Sequence, residues 1–446
     1  MNCPANIGSR FVVVYIGNRL FEADNYMPQL YLATPLLNDV VVSITTPTWQ
    51  STDHVDMNVT LSPGNMTLVE LPSSLLLSET GIYNKTVRIV ANEIILAATN
   101  NARKHSVGSS LALSVDVLGR DYFLVSGGKD ACAGVVAVQS NTHVILYLPE
   151  HYSGTLTYAG VDYSAGDALR VKLSKYEVFH WHSLVDFTGT RVISNKPVAV
   201  FSGNRWLRYV DTGKGDHMEE QLIPVPYWVS QYVILTASVS VDGEYVRVIA
   251  SEEDTTIVFR GTTIVLEKPG AFHQFFISLN ERLVLTSSKP VLVYQFSIGC
   301  ELNAILCDSF MLLSTAPDHF SQSVDFVTPA VELEQVYTHR LTITTERYST
   351  NNIFLDGKQV DSDWVDIHRT RLSTRLCEVP PGHHKITSDV EDTKFGGFVD
   401  GFGKSESYAL PLTLTFSMEE LPPCTDMDCR STFHLLRETK CHCRRP

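Results

Sequence analysis

Asp216-His217-Met-Glu219-Glu220 places carboxylates and an imidazole within five residues. That is the acid–base inventory of a hydrolase, in which one group takes a proton and another returns it. The chain has no Gly-x-Ser-x-Gly elbow, no phosphate-binding P-loop and no His-Glu-x-x-His. A paired-carboxylate glycosidase stays open as an alternative, because its two acids need not be close in sequence. Trp206, Tyr209, Tyr227 and Trp228 gather around the same segment. Exposed rings would stack on sugars or anchor a protein partner, whereas buried rings would be core.

Three other groupings have the residue types of metal sites. His180-Trp-His182 in a strand puts both imidazoles on one face, but no third ligand is nominated. Asp356, Asp361, Asp363 and Asp366 invite calcium, which needs several oxygens. The EF-hand pattern is absent there, and Leu355-Asp-Gly-Lys358 reads as a tight type I′ hairpin turn. His383-His384 after Pro380-Pro-Gly382 reads as another turn. Cys424, Cys429, Cys441 and Cys443 fit no common zinc spacing, so disulfides or pairing with a further module are expected. No metal and no cofactor is expected.

Cys300 and Cys307 read as a disulfide closing a small loop. Cys3, Cys132 and Cys377 have no obvious local partner, and a total of nine leaves at least one Cys unpaired within the chain. Asn58, Asn65 and Asn84 open three Asn-x-Thr sequons in one short stretch. Together these point to a secreted, oxidised glycoprotein. Met1-Asn-Cys-Pro-Ala-Asn has neither a basic start nor an apolar stretch, so the expectation is a secreted chain whose true N-terminus lies upstream.

The elements that must position these groups are β-strands. Runs rich in Val, Ile, Thr, Tyr and Phe recur along the chain, broken by Gly, Asn, Asp and Pro, and convincing helices are absent. The chain has 446 residues, enough for about three domains of ordinary size. Its net charge of −14 argues against nucleic acid and against an anionic membrane surface. The longest apolar runs fall far short of a membrane span.

Two elements repeat. Thr190-Arg-Val-Ile-Ser-Asn-Lys-Pro-Val-Ala-Val-Phe-Ser-Gly203 recurs as Arg282-Leu-Val-Leu-Thr-Ser-Ser-Lys-Pro-Val-Leu-Val-Tyr-Gln295 and, more loosely, as residues 87–98. It reads as strand, short polar turn, strand. Val246 to Phe259 recurs around Val135 and Leu341. The period of roughly 90–110 residues is domain-sized, and units of that size with short strands fit β-sandwiches. The fold expected is all-β, with tandem sandwich-like units, and a propeller-like closed array is the rival. Repeats are expected to start near residues 11, 122, 232 and 324 within a β domain of residues 11–416. Residues 1–10 form a lead segment and 417–446 a Cys-rich tail.

The ordered set Gly8-Ser-Arg-Phe-Val-Val, Ser114-Val-Asp-Val-Leu-Gly-Arg-Asp-Tyr-Phe-Leu-Val-Ser126, Ser194-Asn-Lys-Pro-Val-Ala-Val200, Asp216-His-Met-Glu-Glu-Gln-Leu-Ile-Pro-Val-Pro226 and Ser405-Glu-Ser-Tyr-Ala-Leu-Pro411 resembles the N-terminal domain of the IgG Fc-binding protein family. The resemblance covers roughly residues 8–416. In that family of large secreted mucus proteins the domain precedes von Willebrand factor D modules. The resemblance implies a non-catalytic extracellular binding, adhesion or scaffolding role, with an extracellular protein or glycoprotein as partner. It carries no residue-level Fc site. Asp216-His217-Met-Glu219-Glu220 reads as a loop, and the resemblance implies that this loop is a structural feature between strands. The alternative is a carbohydrate-active enzyme or a calcium-dependent lectin-like module.

Overall fold

The computed structural model describes residues 2–19, 26–103, 106–209, 215–237, 243–302, 305–329, 337–403 and 406–417. The Cys-rich tail lies outside these residues. The described chain is nearly all-β, its strands joined by loops, turns and short 3-10 helices. Among the described residues no helix is long and apolar enough to cross a membrane.

The repeated sequence element is one long strand. Val87–Arg103, Arg191–Leu207 and Arg282–Ser297 each run through two sheets. In the first unit the N-terminal half of Val87–Arg103 pairs with Val40–Thr45 and Ile7–Val13. Its C-terminal half pairs with Tyr26–Ala33 and Ser106–Leu111. A strand that crosses between sheets is one way to make the corner of a sandwich. The same pairing recurs around Arg191–Leu207 and Arg282–Ser297. In the fourth unit the long strand is split into Gly382–Ser388 and Phe395–Gly403, which keep the same neighbours. His383 and His384 therefore lie in a strand and not in a turn, both paired with Asp325–Val327 across the ladder.

The polar stretch read as a turn between two strands is a bulge within one strand. Gly119 faces Val198 while Asp121 faces Ile193, so the four residues 194–197 stand opposite the single residue Arg120. The same register shift falls between Gly8 and Arg10, and between Val229 and Gln231. A bulge adds twist and lets the strand change sheets. Its polar side chains are put to use. Asn92 Oδ1 accepts the Val41 N–H (2.9 Å), Asn195 Oδ1 the His143 N–H (2.8 Å) and Ser288 Oγ the Thr256 N–H (2.9 Å). Tyr122 and Tyr232 lock the opposite side of the corner by donating to the carbonyls of Val198 and Val291.

The four sandwiches form a ring. Each ends in an inner strand: Ser106–Leu111, Asp216–Gln221, Met311–Leu313 and Glu406–Pro411. These inner strands lie against one another in the order first, second, third, fourth and back to first. Shared cores run across the seams. Cys132, Val136 and Phe201 of the second unit pack with Phe11 and Val13 of the first, and Tyr31 and Leu111 of the first with Leu341 and Leu410 of the fourth. Asn2–Pro4 pairs with Thr415–Ser417, so the two ends of the described chain close the circle. The array is thus built of sandwiches but closed like a propeller, which protects inner strand edges.

Candidate functional site

Asp216–Gln221 is an inner strand at the ring axis, not a loop, and all six residues are buried. The approach is close: a Cβ on Gly203 would sit 1.8 Å from the Met218 carbonyl oxygen, and one on Gly108 would sit 2.4 Å from the His217 ring. Between Ser106–Leu111 and Asp216–Gln221 side chains take the place of a backbone ladder. The Ser106 hydroxyl accepts the His217 N–H and the Ser110 hydroxyl accepts the Gln221 N–H, with the same offset of 111 residues. Equal offsets mean that the two strands run parallel. Asp216 Oδ1 accepts the Val107 N–H (2.8 Å), and Gln221 Oε1 the Leu113 N–H (2.8 Å). Glu219 Oε2 accepts from the Ile16 N–H (3.2 Å) and the Asn101 amide (2.9 Å). The Leu313 backbone of the third unit bonds to the Glu220 carboxyl. Burial pushes the Asp216 carboxyl well above the usual range, with Asp308 and Glu406 adding to the shift. Burial pushes Glu220 up as well. A carboxyl in such surroundings favours its neutral form. The group that looked like hydrolase machinery stitches three units together.

Of the four aromatics, Tyr227 and Trp228 are core. Tyr227 stacks on Phe416 at 4.0 Å, and Trp228 packs on Phe123 while its indole N–H donates to the Ile223 carbonyl. Neither presents a face to solvent, so the core reading of the two rings applies at both. Trp206 is half-buried between the guanidinium groups of Arg19 (4.5 Å) and Arg208 (4.6 Å). Tyr209 stacks on Tyr245 of the third unit at 4.7 Å.

The two metal-type groupings within the described residues are each occupied by protein, and Cys424, Cys429, Cys441 and Cys443 lie outside those residues. His180 Nδ1 donates to the Glu79 carbonyl and Nε2 accepts the Gly17 N–H, while burial lowers the ring to about 4. His182 bonds Asp130 at 2.6 Å. Asp356 binds His384 and the Lys385 N–H, Asp361 binds Arg375 through both oxygens, and Asp366 meets Arg347 and Ser373. Asp363 shares Arg375 with Asp361 at 3.7 Å, and acids turned to histidine and arginine partners in this way do not make a calcium cage. Asp356 and Gly357 both have positive φ (50° and 75°), the backbone of a type I′ turn.

Asn58, Asn65 and Asn84 are all exposed and belong to the first unit. Cys300 and Cys307 face one another as cross-strand partners in a two-stranded hairpin. Cys132 is a buried free thiol and Cys377 a half-buried one.

One feature was not legible in the sequence. A cleft of about 290 Å³ opens between the third and fourth units. Leu279 and Arg282 come from one side, and Arg340, Val365, Arg375 and Leu376 from the other. Leu279, Val365 and Leu376 are exposed apolar residues. The acids in the lining are Glu281, held by Arg260 through both oxygens, and the exposed Asp363, 3.7 Å from Arg375, which also binds Asp361 through both oxygens. Arg282 is exposed. A mixed apolar and cationic concavity at a domain seam is a common form of binding site.

Fold and site together define a closed array of β-sandwiches with a structural polar hub and a solvent-open cleft. Residues 108–401 match the family model described as IgGFc binding protein. The chain belongs to that family. It is similar to human IgGFc-binding protein, with 24% identity over 434 residues covering 94% of this chain and 8% of the relative. The chain thus corresponds to a small part of that protein's length.

Proposed function

We propose that this chain is an extracellular, non-catalytic binding or adhesion module that holds a secreted protein or glycoprotein ligand. The observation that carries the reading is the cleft between the third and fourth units, where arginines and exposed apolar side chains meet solvent. Family membership supports a binding role. The exposure of Asn58, Asn65 and Asn84 and the facing positions of Cys300 and Cys307 support glycosylation and a disulfide in an oxidising compartment. The titratable groups of the inner strand are turned to holding the units together, which leaves binding rather than turnover as the use of the surface.

The test is to incubate the purified chain with purified mucus glycoprotein or with the Fc portion of IgG, the ligand in the relative's name. Complex formation and the ligand's intact mass are followed together. Saturable binding of one of them, insensitive to a chelator and without change in ligand mass, is expected. Cleavage of the ligand would replace the reading by the enzymatic one, and loss of binding on chelation by the calcium-dependent one.

A further inference from the structure

We propose that the ring is a pH-sensitive assembly, closed while the carboxyl groups of Asp216 and Glu220 are neutral and loosened as they ionise. The geometry carries the argument. Asp216, Asp308 and Glu406 come from or just before the inner strands of three different units, and each is buried. Burial and the carboxyls of Asp308 and Glu406 act on Asp216 at the axis, against its bonds with Ser106 and the His217 N–H. Asp216 Oδ1 accepts the N–H groups of Val107 of the first unit (2.8 Å) and of His217 (2.7 Å), while its buried Oδ2 has no partner among the described residues. Glu220 bonds the Leu313 backbone of the third unit, and its buried Oε1 likewise has no partner. A neutral carboxyl tolerates such a place better than an anion, for which burial without a counter-charge is costly.

Acidic groups face both carboxyls: Asp308 and Glu406 act on Asp216, and Glu219 acts on Glu220. Glu220 faces Glu219 and the Tyr294 ring. Glu219 has its own partner, His217 Nε2 at 3.3 Å, and also faces Tyr15, Tyr26 and Cys132. Arg103 acts on Tyr26, and Arg205 acts on Cys132 and His180. The direction at Asp216 and Glu220 is upward, so the closed ring binds protons that the open chain has released. Their stabilisation is complete below the ordinary carboxylate range and is lost as pH rises through the raised values.

The experiment follows the unfolding equilibrium of the full chain from about pH 5 to about pH 9, with X-ray scattering to report its size. The wild type is expected to lose stability as pH rises, by up to about tenfold in the folding equilibrium per pH unit for each ionising carboxyl. Asp216→Asn and Glu220→Gln cannot ionise. Each is expected to flatten the loss and to exceed the wild type at the alkaline end. Amide variants with the full wild-type pH dependence would overturn the proposal. If an amide variant fails to fold, the wild-type curve decides alone: a flat profile above about pH 6, with no increase in size, also overturns it.

Discussion

The Arg247 guanidinium of the third unit lies 2.6 Å from the Asp186 carboxylate of the second. It also bonds Thr188 (2.6 Å), the Ser126 carbonyl and Gln274. The side chain is almost wholly buried and stacks on Phe272 at 4.4 Å. One residue thus fastens two sandwiches where Gly189 and Gly270 bring their backbones together. Truncating it leaves several buried acceptors unmatched. Arg247→Ala is expected to cost about 3 kcal/mol in denaturant unfolding, and Arg247→Lys to recover only part, because an ammonium lacks the planar fork. A cost below about 0.5 kcal/mol would show that the seam does not depend on this contact.

On the acid side burial lowers His180, His339, His319 and His273, and the first two most clearly. Burial lowers both His180 and His339 to about 4. Their folded values are depressed, so their contribution is present above the ordinary value of 6.5 and is lost as pH falls through about 4. His180 is the more deeply buried, and its share is about 3 kcal/mol. A thermal melt series between neutral pH and about pH 4 should show this decline. His180→Gln, which retains a donor and an acceptor, should weaken it. An equal decline in the variant would assign the acid limb to other groups.

Much of the architecture was legible because its elements repeat. Residues 190–203 and 282–295 match in pattern since each must cross between sheets with polar residues at one bulge and apolar residues on both sides. Ser194-Asn-Lys196 resembled a turn because polarity and Pro197 suggest one, whereas the bulge accommodates both without ending the strand. Asp216–Gln221 resembled a loop for the same reason. Its charges are buried because their partners, such as Val107 and Ile16, lie over a hundred residues away. Pairings of that range leave no mark in local composition. The cleft was hidden likewise, since Arg282 and Arg340 come from different units.

Cys300 and Cys307 are direct cross-strand partners, and antiparallel partners hold their Cα atoms about 4.5–5.5 Å apart, within reach of a disulfide. Protein from a secretory host is expected to yield a linked 300–307 peptide that separates on reduction, while Cys132 and Cys377 are alkylated only after unfolding or slowly. Free thiols at both 300 and 307 would remove the disulfide from the account.

Asn58, Asn65 and Asn84 are exposed, and Asn84 directly follows Gly81–Tyr83, which pairs with Val178–Ser183 of the second unit. Peptide mapping of the same material should find glycan at one or more of them. Enzymatic removal should leave the unfolding midpoint nearly unchanged, because none of the three is buried. Unoccupied sequons in a secretory host would argue against the extracellular assignment.

The central claim is that the surface binds a partner, and the cleft tests it most directly. Purified wild-type chain and the Leu279→Asp/Arg282→Glu double variant are compared for binding to immobilised mucus glycoprotein and to IgG Fc, with circular dichroism confirming equal folding. Both residues are exposed, so the fold should survive. Saturable binding by the wild type to one ligand, weakened about tenfold or more in the variant, is the expected result. Binding of neither ligand by the wild type, or equal binding by wild type and variant, would contradict the account.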